Sequence, residues 1–282
     1  MPIHAGRTLL DEQVSKGVCS AKDAAWLKKH MTGDDTGDNI SALNLHLNEM
    51  TAIYWAWKNY DKLGNPDYIG FMHYRRQFWL KTDLKAPDFL SAIGCTEADV
   101  AKVMKGYQAA CLDLRGRRSL RQHLVELPAD EKLLKDVLQV ATELYPAEAD
   151  SYRYIVEQER VSAVRNMFIF PWEEFFRYCE WIFSILFTLQ MRSERFYNGR
   201  NAGYIAEVLT TLYLRKMQKD GKKVLMVDMI YQQDMFPPGW KRRIKDWRRW
   251  LAARLVGPGH KKYDRYMRFE KMRQLRRYFK NR

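Results

Sequence analysis

The sequence predicts an α/β domain followed by a basic helical C-terminal extension, and three observations point that way. Helical 3–4 periodicities alternate along the 282-residue chain with short apolar runs of strand length. Apolar residues make up 46% of it and aromatics 13%, which suffices for a packed core and is inconsistent with low-complexity disorder. The charge is divided along the chain. Residues 241–282 hold 17 Lys and Arg against three acidic residues (Asp246, Asp264, Glu270), whereas residues 1–240 hold 31 of each sign. The formal net charge of +14 therefore belongs to the last 42 residues. Pro237-Pro238-Gly239 marks the boundary, so the expected division is a domain over 1–236 and a basic amphipathic tail over 237–282.

Each element follows from a local pattern. Ala21–His30 reads as a short helix. A longer helix is expected after the polar cluster at 38–41, which supplies an N-cap. Leu43, Leu47, Met50, Tyr54 and Trp57 recur at 3–4 spacing and mark its buried stripe to about Tyr60, before Gly64-Asn65-Pro66 ends it. On that helix Asn44 and Asn48 share one face, with Thr51 and Trp55 continuing it, and Glu49 lies about a quarter-turn away. Residues 68–73 read as a short buried strand running into the basic pair Arg75-Arg76. Residues 97–105 are helical, and 107–112 form a second strand ending at Asp113. Helices over 120–145 and 147–159 are interrupted at Pro128 and Pro146. A third strand covers 164–170, Trp172–Arg192 is a helix apolar almost all round, Asn201–Lys219 another helix, and Val224–Tyr231 a fourth strand.

Several function classes lose their support. No GxGxxG, P-loop, GxSxG or HExxH motif occurs. Cys19, Cys95, Cys111 and Cys179 are scattered without a CxxC pair, which reads as reduced thiols in a cytoplasmic protein. Residues 1–17 lack the apolar core of a signal peptide, and the longest near-apolar run, 181–191, falls short of the ~20 residues a spanning helix needs. The functional question therefore rests on residues just past the strands, where ligands of open α/β sheets bind. Two adjacent arginines after a buried strand suit phosphate oxygens, because each guanidinium presents a planar fork of donors; a solvated strand end would look the same. Asp113 reads as a metal or sugar-hydroxyl ligand, or as an acidic turn residue. Asn44 and Asn48 either contact a ligand or face solvent. His46 reads as structural or exposed.

Asp38-Asn39-Ile40-Ser41, the run from Asn48 to Asn59 (NEMTAIYWAWKN) and the run from Tyr68 to Arg76 (YIGFMHYRR) together resemble a known family. It is the DUF4422-type group of bacterial capsular-polysaccharide and O-antigen glycosyltransferases, whose pattern runs roughly DNIS…N…ELTAxYWxWKN…YxGxxHYRRxF. Asn166-Met167-Phe168-Ile169, the run 178–183 (YCEWIF) and the run 200–207 (RNAGYIAE) are similar to it as well, so the resemblance covers about residues 2–215. It implies a GT-A-like nucleotide-sugar transferase working in surface-polysaccharide synthesis, with a UDP-sugar as the first expectation for the donor and a glycan, foremost a lipid-linked one, as acceptor. A non-catalytic glycan- or partner-binding member of the same fold at the membrane is the alternative. The family's first strand, ending in His-Lys, is expected to be missing ahead of Pro2-Ile3-His4-Ala5-Gly6. Val208 stands where the family has arginine, and Met50 where it has leucine.

In GT-A folds a DxD motif at a strand end holds metal and diphosphate. Here His73-Tyr74-Arg75 takes that place, and from that position Arg75 and Arg76 are expected to neutralise the leaving diphosphate directly, without a metal, with His73, Tyr74, Asn39 and Asn48 also on the donor side. No cofactor is certain, and a divalent ion, Mn2+ or Mg2+, is left open. The transfer needs a carboxylate, for which Glu207, Asp113 and Glu49 are the candidates and Glu207 ranks first as base. Asn166 and Arg200 are assigned to the acceptor side.

The tail carries its own pattern. Trp240, Ile244, Trp247, Leu251 and Leu255 fall at 4-3-4-4 spacing among Lys241, Arg242, Arg248, Arg249 and Arg254, which makes an amphipathic cationic helix with Trp240, Trp247 and Trp250 as interfacial anchors. A second stretch covers 263–279. The expected partner is the anionic inner face of the plasma membrane, each basic residue near such a surface contributing roughly 1 kcal/mol. Nucleic acid is not expected, because the neutral body shows no nucleic-acid motif.

Overall fold

A computed structural model describes residues 1–73, 75–125 and 131–231, together with 247, 250, 251, 253–257, 263, 266, 267, 270, 271, 274 and 275. In chain order, β1 (Ile3–His4) pairs in parallel with β2 (Thr32–Gly33), and between them lie α1 (Leu10–Ser15) and α2 (Ala21–His30). Ser20 caps α2 by accepting from the Asp23 amide at 3.0 Å. At its other end the Arg7 guanidinium donates to the carbonyls of Leu27 and Met31 at 3.0 and 2.8 Å. A 3-10 turn over Ser41–Leu43 leads into α3 (Asn44–Leu47) and α4 (Met50–Lys58). There follow β3 (Tyr68–Phe71), β4 (Arg76–Trp79), α5 (Phe89–Ile93), α6 (Glu97–Met104) and β5 (Ala109–Leu112). Next come α7 (Leu120–Val125), α8 (Glu131–Leu144), α9 (Ala149–Glu157), β6 (Phe168–Pro171), α10 (Trp172–Arg192), α11 (Asn201–Lys219) and β7 (Val224–Tyr231).

The chain divides into two compact units, one of residues 1–71 and 106–226, the other of 72–105 and 227–282. In the first unit β6 lies between β3 and β5, antiparallel to both, with Phe71 opposite Phe168 and Ala110 opposite Ile169. The Gln108 amide donates to the Lys223 carbonyl at 2.9 Å, which brings the start of β7 beside β5. β5 and Phe168–Phe170 are buried throughout, so they read in sequence as unbroken apolar runs. α10 is the spine of the core. Tyr178 on it packs against Phe168 and Phe170 at 4.9 and 5.4 Å, and Phe183 stacks on Trp57 of α4 at 5.8 Å. Tyr213 of α11 closes on Tyr178 and Trp181 at 5.3 and 5.1 Å. A fully buried ring such as Phe168 or Phe170 contributes on the order of 1.5–3 kcal/mol.

In the second unit β4 pairs antiparallel with the end of β7, Arg76 opposite Tyr231 and Trp79 opposite Asp228. Asp88 caps α5 by accepting from the Ser91 amide at 3.0 Å, and Gly94 at φ 79 ends it. Ala86, Ala92, Ile93, Ile230 and Leu275 form its small apolar core.

The structure corrects several expectations. The helix expected from 41 to 60 is broken: Asn48 sits at φ 52, ψ −133, so α3 stops at Leu47 and α4 starts at Met50. Asn44 and Asn48 therefore do not share a helical face; the Asn44 amide instead donates to the Asn48 carbonyl at 2.7 Å. The strand expected over 164–170 begins only at Phe168, because Arg165 and Asn166 are both left-handed, at φ 58 and 54. The strand expected over 68–73 ends at Phe71, and β1, β2, α1, α5 and β4 have no counterpart in the sequence reading. These are elements of two to six residues, too short for a period to show. No helix among the described residues is long and apolar enough to cross a membrane.

Candidate active site

Close to the N-terminus the fold is organised by a carboxylate that the sequence reading passed over. Asp34 follows β2 and is fully buried. Its Oδ1 accepts from the Arg7 amide at 2.9 Å and from Ser41 Oγ at 2.6 Å. Its Oδ2 accepts from the Gly6 amide at 2.8 Å and from Thr51 Oγ1 at 2.6 Å. A buried charge persists only when so satisfied, and these four donors hold the start of α4 against the N-terminal segment. The signal that could have found it is Thr32-Gly33-Asp34-Asp35, two acids directly past a strand-length stretch.

Asn48 and Glu49 lie at the break that Thr51 helps to anchor. The Asn48 side chain is almost wholly buried and its Oδ1 accepts from Arg200 Nε at 2.6 Å. Gly203, one turn into α11, leaves room for it: a Cβ there would stand 1.9 Å from Asn48 Nδ2. Glu49 is half-buried, and its Oε1 accepts from Asn166 Nδ2 at 2.9 Å. Asn166 in turn accepts at Oδ1 from Thr210 Oγ1 at 2.7 Å, and the Thr210 and Tyr178 hydroxyls are hydrogen-bonded to each other at 2.7 Å. A line of buried hydroxyl and amide groups thus runs from α10 through α11 to the Glu49 carboxylate. Burial raises the Tyr178 phenol well above its ordinary pKa, so it stays protonated. Three non-glycine residues of this region, Asn48, Arg165 and Asn166, have positive φ, a conformation that costs of order 1–3 kcal/mol and collects at functional sites.

Four of the residues singled out by sequence are thus brought together: Asn48 with Arg200, and Glu49 with Asn166. The arrangement offers a carboxylate fixed in orientation and, through the neighbouring residue, a guanidinium. Glu207 lies on α11 two turns past Arg200, half-buried, and its carbonyl accepts from Thr211 Oγ1 at 2.7 Å. Asp113 follows β5, and Arg115 grips it: Nε donates to Oδ1 at 2.8 Å and Nη2 to Oδ2 at 2.7 Å. That contact raises the Arg115 pKa. Asn39 closes a turn, donating to the Gly37 carbonyl and accepting from the Ser41 amide. His46 is half-buried, with Nδ1 3.0 Å from the Gly199 carbonyl.

His73, Arg75 and Arg76 belong to the second unit, in a tight turn closed by the Arg76 amide on the His73 carbonyl at 3.1 Å. Arg75 is exposed, and Arg76 lies over the Tyr231 ring at 5.8 Å. Among the described residues Arg76 Nε is buried without a hydrogen-bond partner. Trp247 and Trp250 are helical; Trp247 is exposed and Trp250 carries Arg254 over its ring at 4.8 Å. Tyr74, Trp240, Arg248 and Arg249 lie outside the described residues. Among those residues no group of three or more His, Cys, Asp or Glu side chains is placed to hold a metal ion.

Residues 2–219 match the family described as "Domain of unknown function (DUF4422)". Among solved structures the chain is similar to the apo structure of WbbM, a bifunctional glycosyltransferase, at 25% identity and a TM-score of 0.66. The likeness covers 82% of this chain and 41% of that one, so the chain spans less than half the length of that structure. No curated protein matches. The α/β fold is GT-A-like, as the resemblance implied.

Proposed function

We propose that this chain, which belongs to the DUF4422 family, is a glycosyltransferase that moves a sugar from a nucleotide donor, foremost a UDP-sugar, to a glycan or lipid-linked acceptor of a bacterial surface polysaccharide. The likeness to WbbM over 82% of the chain carries the reading. In the reaction an acceptor hydroxyl oxygen bonds to the anomeric carbon, the bond from that carbon to the phosphate oxygen breaks, and the nucleoside diphosphate leaves with the electron pair. The hydroxyl proton goes to a carboxylate. Glu49 suits that role better than Glu207, since the Asn166 amide holds it to one orientation through a buried hydroxyl line. Within the second unit, the turn that holds Arg75 and Arg76 is read as the binder of the donor's diphosphate, and Arg76 Nε, buried without a hydrogen-bond partner among the described residues, supports that reading. A divalent ion remains compatible with this scheme.

The enzyme works as a peripheral protein on the inner face of the plasma membrane. Trp247, Leu251 and Leu255 are exposed at i, i+4 and i+8, an apolar stripe in the most basic part of the chain.

The test is hydrolysis of UDP-, GDP- and dTDP-sugars by the purified full chain, with and without EDTA. Slow hydrolysis of one donor is expected, falling by about 100-fold or more in Glu49→Gln, in line with loss of a general base. Hydrolysis of none, or full activity in Glu49→Gln and Arg76→Ala alike, overturns this assignment. Replacing the exposed Trp247 and Leu255 by serine should free the protein from anionic vesicles and leave donor hydrolysis intact; continued co-sedimentation of that variant would exclude this stripe as anchor.

A further inference from the structure

The segment between α10 and α11, in the first unit, carries an aromatic ring that the site described above does not use. Tyr197 ends the 3-10 turn Glu194–Tyr197 and is 46% exposed. It is exposed and yet held. Gln190 Nε2 of α10 donates to its hydroxyl at 2.8 Å, the His46 ring of α3 stands at right angles to it at 5.3 Å, and the buried Phe196 ring lies at 5.2 Å. The same segment reaches the residues around Glu49. The Gly199 carbonyl lies 3.0 Å from His46 Nδ1, and Arg200 Nε donates to Asn48 Oδ1 at 2.6 Å. Asn198, next to the ring, lines a cleft of ≈ 500 Å³ together with Asp136 and Gln139 of α8 and with Arg192 and Glu194. Asp136 accepts from Ser193 Oγ at 2.6 Å, and Glu143 holds both Gln139 and Arg192. Glu194 and Asn198 are exposed, and among the described residues their side chains make no hydrogen bond or ion pair.

We propose that Tyr197 and the cleft beside it bind sugar rings of the acceptor glycan, one ring lying against Tyr197 and its neighbour giving hydroxyls to the cleft. A pyranose has a face of C–H groups, which suits the electron-rich face of an aromatic ring, and a rim of hydroxyls that each donate and accept. Such a rim calls for carboxylate, amide and guanidinium groups in one place, not for charge of a single sign. Asp136, Glu194, Asn198 and Arg192 supply that mixture. A ring already fixed by Gln190 and His46 loses little freedom when a ligand settles on it. The volume of the cleft falls within the roughly 300–1,000 Å³ of small-molecule sites. That the glycan is the acceptor rests on the glycosyltransferase reading; the binding is measured without turnover.

The experiment is saturation-transfer NMR on the full chain with the methyl pyranosides of glucose, galactose, mannose, rhamnose and N-acetylglucosamine, and with glycerol as a polyol that lacks a ring face. Transfer to the C–H groups of at least one pyranoside is expected, well above that to glycerol. Its Kd should rise about fivefold or more in Tyr197→Ala and stay near the wild-type value in Tyr197→Phe, which keeps the ring and loses the hydroxyl. Transfer to no pyranoside beyond the glycerol level overturns the proposal, and so does equal affinity in the wild type and a folded Tyr197→Ala. Should the alanine variant not fold, unchanged affinity in a folded Glu194→Gln/Asn198→Ala pair has the same force. Excess UDP-glucose and excess UDP are then added in turn. A pyranoside signal that survives both fits the acceptor, whereas displacement by UDP-glucose and not by UDP gives the ring to the donor's sugar and overturns the acceptor assignment. Donor hydrolysis by a wild type that shows no pyranoside contact sinks this proposal alone. Contact that depends on Tyr197, without hydrolysis of any donor, sinks only the transferase reading.

Discussion

α10 and the segment 41–58 face each other in the core, Trp57 and Tyr54 both resting on Phe183, yet only α10 runs as an unbroken helix. Both are rich in aromatics and both carry a helical apolar stripe. What separates them is where their polar groups find partners. On α10, Glu174 and Tyr178 reach acceptors and donors on other elements without leaving helical geometry: Glu174 meets Tyr213 at 2.6 Å and Lys222 at 3.1 Å. In the other segment Asn48 has to turn out of the helix, so that its carbonyl receives Asn44 and its side chain receives Arg200. The break also sets Glu49 at the head of α4, on the Asn166 amide. A regular helix stores stability in packing, and the interrupted one exchanges some of it for placement of two polar side chains.

The contrast can be broken at three strengths. Phe175→Ala removes a fully buried ring from α10 and should lower the unfolding free energy by about 3–5 kcal/mol, read by urea denaturation, with the hydrolysis rate per folded molecule unchanged. A loss under about 1 kcal/mol would mean that α10 is not the spine. Beside the break, Asn166→Ala leaves the Thr210 hydroxyl without one acceptor and removes the Asn166 donor from Glu49, an expected cost of about 1–3 kcal/mol together with a fall in hydrolysis. Asn48→Gly accepts the positive φ freely, so stability should move by less than about 1 kcal/mol while activity drops. Equal destabilisation by both would show that the Asn48 side chain, and not its backbone, holds the break.

The smallest effect concerns pH. Burial pushes the Glu174 carboxyl up, but donation from Tyr213, Lys222 and Arg177 outweighs it and holds the group below its ordinary value. A carboxyl depressed in the folded state contributes stability that is complete above its unfolded pKa of about 4.3 and is lost as pH falls through the folded pKa. Glu174→Gln should therefore flatten the acid limb of the stability profile and leave its shape near neutrality unaltered. An acid limb as steep as the wild type's would assign that pH dependence to other carboxylates.

The long regular elements were legible in the sequence. Ala21–His30, Trp172–Arg192, Asn201–Lys219 and Val224–Tyr231 stand where periodicity put them, because each is long enough for its pattern to exceed noise. Pairing Glu49 with Asn166, 117 residues apart, was not legible, since periodicity describes one element at a time. Neither was Asp34: a buried carboxylate and a solvated one look alike until their donors are known. Asn48 misled for a physical reason. Its neighbours Leu47 and Met50 keep helical spacing, and tertiary hydrogen bonds override the local preference that the spacing expresses.

The contacts of Asp34 bear on the order in which the chain assembles during synthesis. All four of its donors, from Gly6, Arg7, Ser41 and Thr51, lie within 28 residues of it along the sequence. The knot they tie needs nothing past residue 51 and can close while α10 and α11 have yet to leave the ribosome. Glu49 must wait for a segment 117 residues further on. The protein thus emerges with the frame for α4 in place early, and the partners of its polar residues arrive late, onto a ready-made berth.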